Sequence, residues 1–562
     1  MRYVLKVINF MMMVMLVSCN FPGKQVPAAG IPASVSPSAV STAAEASPAP
    51  LISLPYATVT AAPPENTPVI NRVDASSMQH KLLMGYQGWF TCAGDGSGTG
   101  YLHWFNNDIP EAGSFRVDMY PDMSELTAGE RCQTKMKLPD GSPAVLYSAI
   151  NPLTVKRHFK WMADYGIDGV FIQRFGSELG SQNHYNSRNT VTKNAMASAE
   201  AYGRVFAMMY DTSGMDTSTF VSILEKDWKF LVDEMKVTAS PSYLHQNGKP
   251  VLAIWGLGFT EHPGTPQQAM ELINFFENNP DPKYRVTLVG GVPTRWRTLT
   301  ADSMTDPGWM DYYCGLDVIS PWTVGRYSSD LEADIYKLTM IDDMKKASAC
   351  GAEYMPVVFP GTGFHNSSPS VPFNMTPRRG GRFYWRQIYN AVSIGVPVIY
   401  NAMFDEVDED TAMYKIAATK ADQPAGVDLV SMDADGEKLP SDWYLQLAGA
   451  ASRMLRGEIP PNPVIPISSG AAPLPTRAGS QKLRLEISSS SDWATLTLVS
   501  GGIFFDPQLV SSSPEALSIE ASGNRFGITQ TIARANSGKK AALVLDISIS
   551  ALQAGKPLQF VL

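Results

Sequence analysis

Asp168-Gly169-Val170-Phe171-Ile172-Gln173-Arg174-Phe175 is an apolar, β-branched and aromatic run that ends on two hydrogen-bonding side chains. Runs of this length bounded by turn residues read as buried strands. Outward from it, seven runs of the same kind recur at 82–90, 205–211, 251–259, 286–293, 317–324, 354–360 and 396–406. Helical periodicity fills the intervals, notably at 155–165, 218–236, 267–278, 331–349 and 383–394, with a last stretch at 443–455. Alternating strands and helices predict parallel βα units, and eight of them make an α/β fold of the (β/α)8 TIM-barrel type over residues 75–458. A doubly wound open sheet competes, because periodicity does not report closure.

The residues where each run stops favour the barrel. They are Gln87 and Trp89, Gln173 and Arg174, Tyr210 and Asp211, Trp255, Arg295 and Trp296, Trp322 and Arg326, Phe364 and His365, and Asp405 and Glu406. Barrel active sites sit at the C-terminal ends of the strands. Aromatic rings mixed with hydrogen-bonding groups suit a sugar, which offers a weakly apolar face and a rim of hydroxyls. The expected substrate contacts are Gln87, Trp89, Gln173, Arg174, Tyr210, Asp211, Trp255, Trp296, Trp322 and Asp405. Any one Trp reads equally as rim packing; repetition over several strand ends points to a ligand. For Asp211 a structural salt bridge stays open.

The run at 396–406 leads directly into Asp405-Glu406-Val407-Asp408-Glu409-Asp410-Thr411, with five carboxylates in six positions. In a helical turn or tight loop, residues three apart place their Cβ atoms about 5–6 Å from each other. Glu406 and Glu409 would then face one sugar ring, close to the roughly 5–5.5 Å carboxyl spacing of retaining glycosidases. Crowding raises the pKa of one member, so one acid stays protonated while the other acts as base. A solvated acidic helix start and a calcium site are the plainer readings.

Several motifs together resemble the bacterial branch of the glycoside hydrolase family 71/99-like barrels. They are Gly85-Tyr86-Gln87-Gly88-Trp89-Phe90, the Asp168–Phe175 run, Met209-Tyr210-Asp211, Pro293-Thr294-Arg295-Trp296-Arg297, Ile319-Ser320-Pro321-Trp322 and Phe404-Asp405-Glu406. The resemblance spans roughly residues 80–457. Family 99 proper, of endo-acting α-mannosidases and α-mannanases, carries Asn-Glu-Trp-His-Glu-Gly-Thr after its eighth strand. Asp405, Glu406, Glu409 and Thr411 match that motif, the first by a similar residue; Val407, Asp408 and Asp410 replace its Trp, His and Gly. The resemblance implies that Glu406 assists the substrate's own 2-hydroxyl as internal nucleophile and that Glu409 acts as general acid, then base. Hydrolysis is implied more firmly than any one sugar.

Arg2 and Lys6 precede an apolar run over 7–17, which suits a signal peptide and is too short to span a bilayer. It ends in Leu16-Val17-Ser18-Cys19, which resembles a bacterial lipobox, so residues 1–19 are expected as leader and lipobox, with Cys19 acylated. An ordinary secretory signal is the alternative. Residues 20–70, rich in Pro, Ala, Ser and Thr, read as a disordered tether. The setting is then extracytoplasmic, at the bacterial cell envelope, with membrane contact through the anchor alone. There Cys92 and Cys132 are expected as a disulfide, and Cys314 and Cys350 as buried thiols.

The chain has 562 residues, 44% hydrophobic and 10% aromatic, enough for several domains and against wholesale disorder. With 17% charged residues and a formal net charge of -8 it offers no field for nucleic acid. No zinc, P-loop or nucleophile-elbow pattern occurs, and no metal or organic cofactor is expected. The glycine-dense loop at 92–100 reads as a mobile rim, with His103 and Trp104 beyond it either closing over substrate or packing. The basic patch at 377–382 reads as an anchor for a polysaccharide carboxylate or a cap for a barrel helix. After a Pro-rich linker at 459–478, short alternating runs at 482–487, 493–499, 517–521, 528–532, 542–547 and 558–562 predict a β-sandwich accessory domain over 479–562. The expected protein is a monomeric, lipid-anchored hydrolase of an α-linked carbohydrate polymer, with a non-catalytic glycan-binding lipoprotein as the rival.

Overall fold

A computed structural model describes residues 71–468 and the backbone of four strands beyond them. Cys19, the leader, the tether and the run at 558–562 lie outside the described residues. In chain order the strands before residue 468 are β1 (Lys81–Tyr86), β2 (Cys132–Lys137), β3 (Pro143–Leu146), β4 (Gly169–Phe175), β5 (Val205–Asp211), β6 (His245–Gln246), β7 (Lys249–Trp255), β8 (Thr287–Val292), β9 (Val318–Pro321), β10 (Glu353–Tyr354), β11 (Val357–Val358) and β12 (Val398–Asn401). The helices are α1 (Pro152–Tyr165), α2 (Gln182–Tyr202), α3 (Phe220–Asp233), α4 (Pro266–Asn278), α5 (Trp309–Gly315), α6 (Asp330–Cys350), α7 (Arg382–Ser393) and α8 (Trp443–Leu455).

The parallel strands run β10-β9-β8-β7-β5-β4-β1-β12-β11, and both ends of that path belong to one stretch of chain. β10 and β11 are the halves of a seventh barrel strand, separated by Met355-Pro356. Pro356 has no N–H to offer, so the ladder breaks there. The seam still holds: Met355 N–H donates to the Ile319 carbonyl (3.0 Å) and the Pro356 carbonyl accepts from Tyr400 N–H (3.0 Å). β1 pairs with β12 on one side, Lys81 opposite Val398, and with β4 on the other, Leu83 opposite Gly169. An open sheet would leave two free edges, so the ring decides for the barrel.

Local signals place most helices. Asn151 caps α1 by accepting from Leu153 N–H, with Pro152 at the first position, and Gly166 in the left-handed region ends it. Thr265 and Gln268 form a capping box on α4. The periodicity missed α2, whose inward face is built of Ser187, Thr192, Ala195, Ser198 and Ala199 with only Val191 as a bulky apolar residue. Small side chains let the helix lie close to the barrel but leave no hydrophobic stripe to read.

Between β1 and α1 the chain makes a long excursion containing the antiparallel hairpin β2–β3. Cys92 and Cys132 are bonded across it, with Cα atoms 6.3 Å apart. Cys314 and Cys350 are bonded as well, correcting the expectation of thiols: the C-terminal ends of α5 and α6 meet with Cα atoms 4.8 Å apart. The loop at 92–100 is pinned. Asp95 accepts from Cys92 N–H (2.8 Å), Ser97 N–H (2.8 Å) and the Ser148 hydroxyl (2.6 Å). Trp104 is fully buried and donates its Nε1–H to the Tyr147 carbonyl.

Beyond the linker, β13 (Gln481–Ser489), β14 (Ala494–Asp506), β15 (Ala516–Ile532) and β16 (Ala541–Ile549) form one sheet in the order β13-β16-β15-β14. The two strands expected at 517–521 and 528–532 are a single long one. A second layer, which a sandwich requires, is not among the described residues.

Candidate active site

After β12 the chain enters a tight turn at 407–410 instead of a helix. Every edge of that turn is held. Phe404 N–H donates to the Gly85 carbonyl (2.7 Å), the Val407 carbonyl accepts from the N–H groups of Asp118 and Met119 (3.0 Å each), and the Glu409 carbonyl accepts from Gly363 N–H (3.0 Å). Position 85 leaves no room for a side chain as packed: a Cβ there would lie 1.9 Å from Met403 Sδ and 2.3 Å from the Tyr400 hydroxyl, so both would have to shift.

The acids are not a solvated helix start. Asp405, Glu406, Asp408 and Asp410 are buried and Glu409 is half-buried. Glu406 accepts from Gln87 Nε2–H and from the Thr411 hydroxyl, both at 2.5 Å. Burial drives its carboxyl well above the usual range, and Glu409 and Asp408 push it further. Burial lifts Glu409 to about 7, with Asp408 adding to the rise, Arg116 opposing it, and Asp211 and Asp118 raising it again. Asp408 rises to about 7 through burial, again opposed by Arg116. Three carboxyls that repel one another in a dry site hold at least one proton among them near neutral pH.

Strand alternation sorts the remaining expected contacts. Neighbouring residues on a strand point to opposite faces. Gln173 faces the barrel interior, where its Nε2 lies 3.2 Å from the Tyr400 hydroxyl. Arg174 therefore faces the helices. It is fully buried and forks onto Asp227 of α3 (2.5 and 2.8 Å), and Tyr210, its register partner, donates its hydroxyl to the same carboxylate at 2.7 Å. Arg174 and Tyr210 are thus wall residues and not substrate contacts. Trp296 is fully buried against Tyr313 of α5, with ring centroids 5.9 Å apart, and is corrected likewise. Asp405 is also structural: its oxygens accept from the N–H groups of Gln87 (2.7 Å) and Gly88 (2.9 Å), fastening β12 to the end of β1.

The structure brings the others to the mouth. Asp211 is half-buried, and burial raises its carboxyl to about 6. Trp255, Trp322 and Tyr400 line a cavity in the upper barrel with Met209 and Ser320. Trp255 and Trp322 meet edge to face at 5.4 Å, and Gly291 has no side chain because a Cβ would lie 2.5 Å from the Trp255 ring. Four of the expected contacts carry a buried polar atom without a partner among the described residues: Gln87 Oε1, Trp89 Nε1, Gln173 Oε1 and Trp255 Nε1.

Sequence reasoning underweighted the β1–α1 excursion. His103 stacks on Trp89, with ring centroids 3.9 Å apart and planes 9° off parallel, and its Nδ1 lies 3.1 Å from Asp408 Oδ2. Asp118 accepts from the N–H groups of His365 and Asn366 (2.7 Å each) and so positions the segment beside the turn. Neither residue lies in a recognisable motif. In the basic patch, Arg378 pairs with Asp410 (3.1 Å) as an internal strut, while the exposed Arg382 pairs with Glu437 (2.8 Å) at the surface. Among the described residues no group of three or more His, Cys, Asp or Glu is arranged to hold a metal ion.

The raised carboxyls bear on stability. A carboxyl whose pKa is higher in the folded state stabilises the fold fully below its unfolded value, near 4.5 for Glu, and loses that contribution as pH rises through about 7. Glu409→Gln, which never ionises, is therefore expected to gain stability over wild type as pH rises. Thermal melts at pH 4.5 and pH 8 measure the difference in Tm, which should widen in the variant's favour; a gap constant with pH would show that Glu409 is not strained by its neighbours.

No family model and no curated protein matches the sequence. Among solved structures, the GH99 endo-alpha-mannosidase from Bacteroides thetaiotaomicron is similar at 14% identity with a TM-score of 0.50, covering 68% of this chain and 99% of that one. The same enzyme in complex with BIS-TRIS-Propane gives 15% identity and a TM-score of 0.49 over the same shares. Identity this low speaks for architecture alone, and the architecture the two share is the (β/α)8 barrel.

Proposed function

We propose that the protein is a retaining glycoside hydrolase acting on an α-linked polysaccharide of mannan type, with Glu406 and Glu409 as its acids. The observation that carries this reading is the pair itself, held at a pinned turn at the C-terminal mouth of the barrel, Glu406 buried, Glu409 half-buried and the two in repulsion. Likeness of fold to an endo-alpha-mannosidase supports the glycan class.

The reactive form is the one with the shared proton on Glu409 and Glu406 ionised, its charge held by the donors of Gln87 and Thr411. In that form Glu406 takes the proton of the sugar's 2-hydroxyl as that oxygen displaces the leaving group at the anomeric carbon. Glu409, with a pKa near 7, is protonated often enough to give the departing oxygen its proton. Water then attacks the anomeric carbon of the cyclic intermediate, giving its proton to Glu409, while the C1–O2 bond breaks and Glu406 returns its proton to the 2-oxygen. Two inversions give net retention.

The barrel at 75–458 would work outside the cytoplasm, held to the membrane by an acylated Cys19 through the tether at 20–70, with the segment at 479–562 as accessory. Cys19→Ser should release it from membranes in a fractionation assay. A hydrolysis screen over α-mannan, α-1,3-glucan and arabinoxylan, with the product anomer read by proton NMR at early times, tests the activity. Retained configuration on α-mannan is expected, and an inverted product would refute the mechanism. A non-catalytic glycan-binding lipoprotein is the second reading, favoured by the burial of Glu406, which is 4% exposed. Binding of the same glycans without turnover would select it.

A further inference from the structure

His103 draws notice because its backbone and its side chain are both held. It is a non-glycine residue at φ 63°, a conformation that persists only where the surroundings over-determine it. The surroundings are clear. The ring stacks on Trp89, and the segment before it is fastened by the Cys92–Cys132 bond and by Asp95. Held this way, Nδ1 meets Asp408, the acid between Glu406 and Glu409, at 3.1 Å.

We propose that His103 is a positioning residue: as the Nδ1–H tautomer it donates to Asp408, keeps that carboxyl ionised, and so leaves the shared proton to Glu406 and Glu409. This rests on the catalytic reading above. The chemistry of the surroundings agrees with a neutral donor. Burial first, then Arg116, holds the His103 imidazole well below its usual pKa, with Arg188 and His184 adding to the fall and Glu178 opposing it. Asp408 itself faces Arg116 as well as His103, and its charge in turn raises Glu406, Glu409, Asp405 and Asp118. The Asp408 charge is thus an electrostatic lever on the pair, and the stacked ring of His103 reaches it at 3.1 Å.

The sign of the effect follows. Without its donor, Asp408 protonates more readily and stops repelling Glu409, so the Glu409 pKa falls. Glutamate labelled at the side-chain carboxyl with carbon-13 lets NMR follow Glu409 directly, with Glu409→Gln assigning its signal. In His103→Ala the Glu409 midpoint should drop by at least half a pH unit. The alkaline limb of the kcat/KM profile should drop with it. Asp408→Asn should give the same drop, the double variant no further one, and His103→Asn, which keeps a side-chain donor, should restore the wild-type midpoint. An unchanged midpoint in folded His103→Ala overturns the proposal, as does a midpoint that rises. The NMR titration needs no substrate, so absence of hydrolysis would sink the catalytic reading while leaving the positioning role to be judged on its own signal.

Discussion

Replacing Glu409 with Gln is expected to slow hydrolysis of α-mannan by about 10²–10⁴-fold, the range a positioned general acid supplies. The amide keeps the shape and the half-buried place of the acid but has no proton to give. The loss should fall on kcat, because Glu409 works on bond cleavage and not on holding the sugar. A substrate whose leaving group departs unaided, such as a glycosyl fluoride, should recover most of the first step. Glu406→Gln is expected to lose a comparable factor with no such recovery, since its task is to take the 2-hydroxyl proton whatever the leaving group. Gln at 406 also turns a charge-assisted acceptor from Gln87 and Thr411 into a neutral one, so its Tm must be measured beside its rate. If both folded variants kept wild-type turnover on both substrates, the acid turn would not be catalytic.

Arg174→Ala should be the most damaging single change to stability, costing about 3–5 kcal/mol, because it leaves the Asp227 carboxylate buried without its partner. Arg174 and Asp227 are 0% and 3% exposed, and Tyr210 adds a third hydrogen bond to the same carboxylate. The denaturation midpoint of a urea melt reads the cost. Activity per folded molecule should stay near wild type, since the guanidinium points away from the barrel interior. Replacing both partners by apolar residues of similar volume should recover much of the loss. A variant that melted like wild type yet lost its activity would return Arg174 to the substrate side, where the sequence alone had put it.

How far the site was legible depends on which physical rule was applied. The eight strands were visible because buried parallel strands are near-continuous apolar runs, and the acid cluster because five carboxylates directly after such a run are rare. The substrate list named adjacent residues, Gln173 with Arg174 and Tyr210 with Asp211, although alternation allows only one of each pair to face inward. Applying that period would have struck one member of each pair; that Arg174 and Tyr210 are the outward ones took the contacts with Asp227. Other features lay beyond sequence. Helix α2 packs through small residues and carries no stripe, and His103 reaches Asp408 across three hundred residues of chain. The second disulfide was missed because Cys314 and Cys350 stand at the ends of two helices whose meeting only the fold decides.

The ring of strands closes by bringing Lys81 beside Val398, so a chain made from its N-terminus keeps its first strand waiting for its last. Neither Gln87 nor Glu406 has its partner until that happens. Such long-range pairing makes folding slow. A nascent or truncated chain ending before the turn would hold neither acid of the pair, so the site is assembled last, when the ring closes.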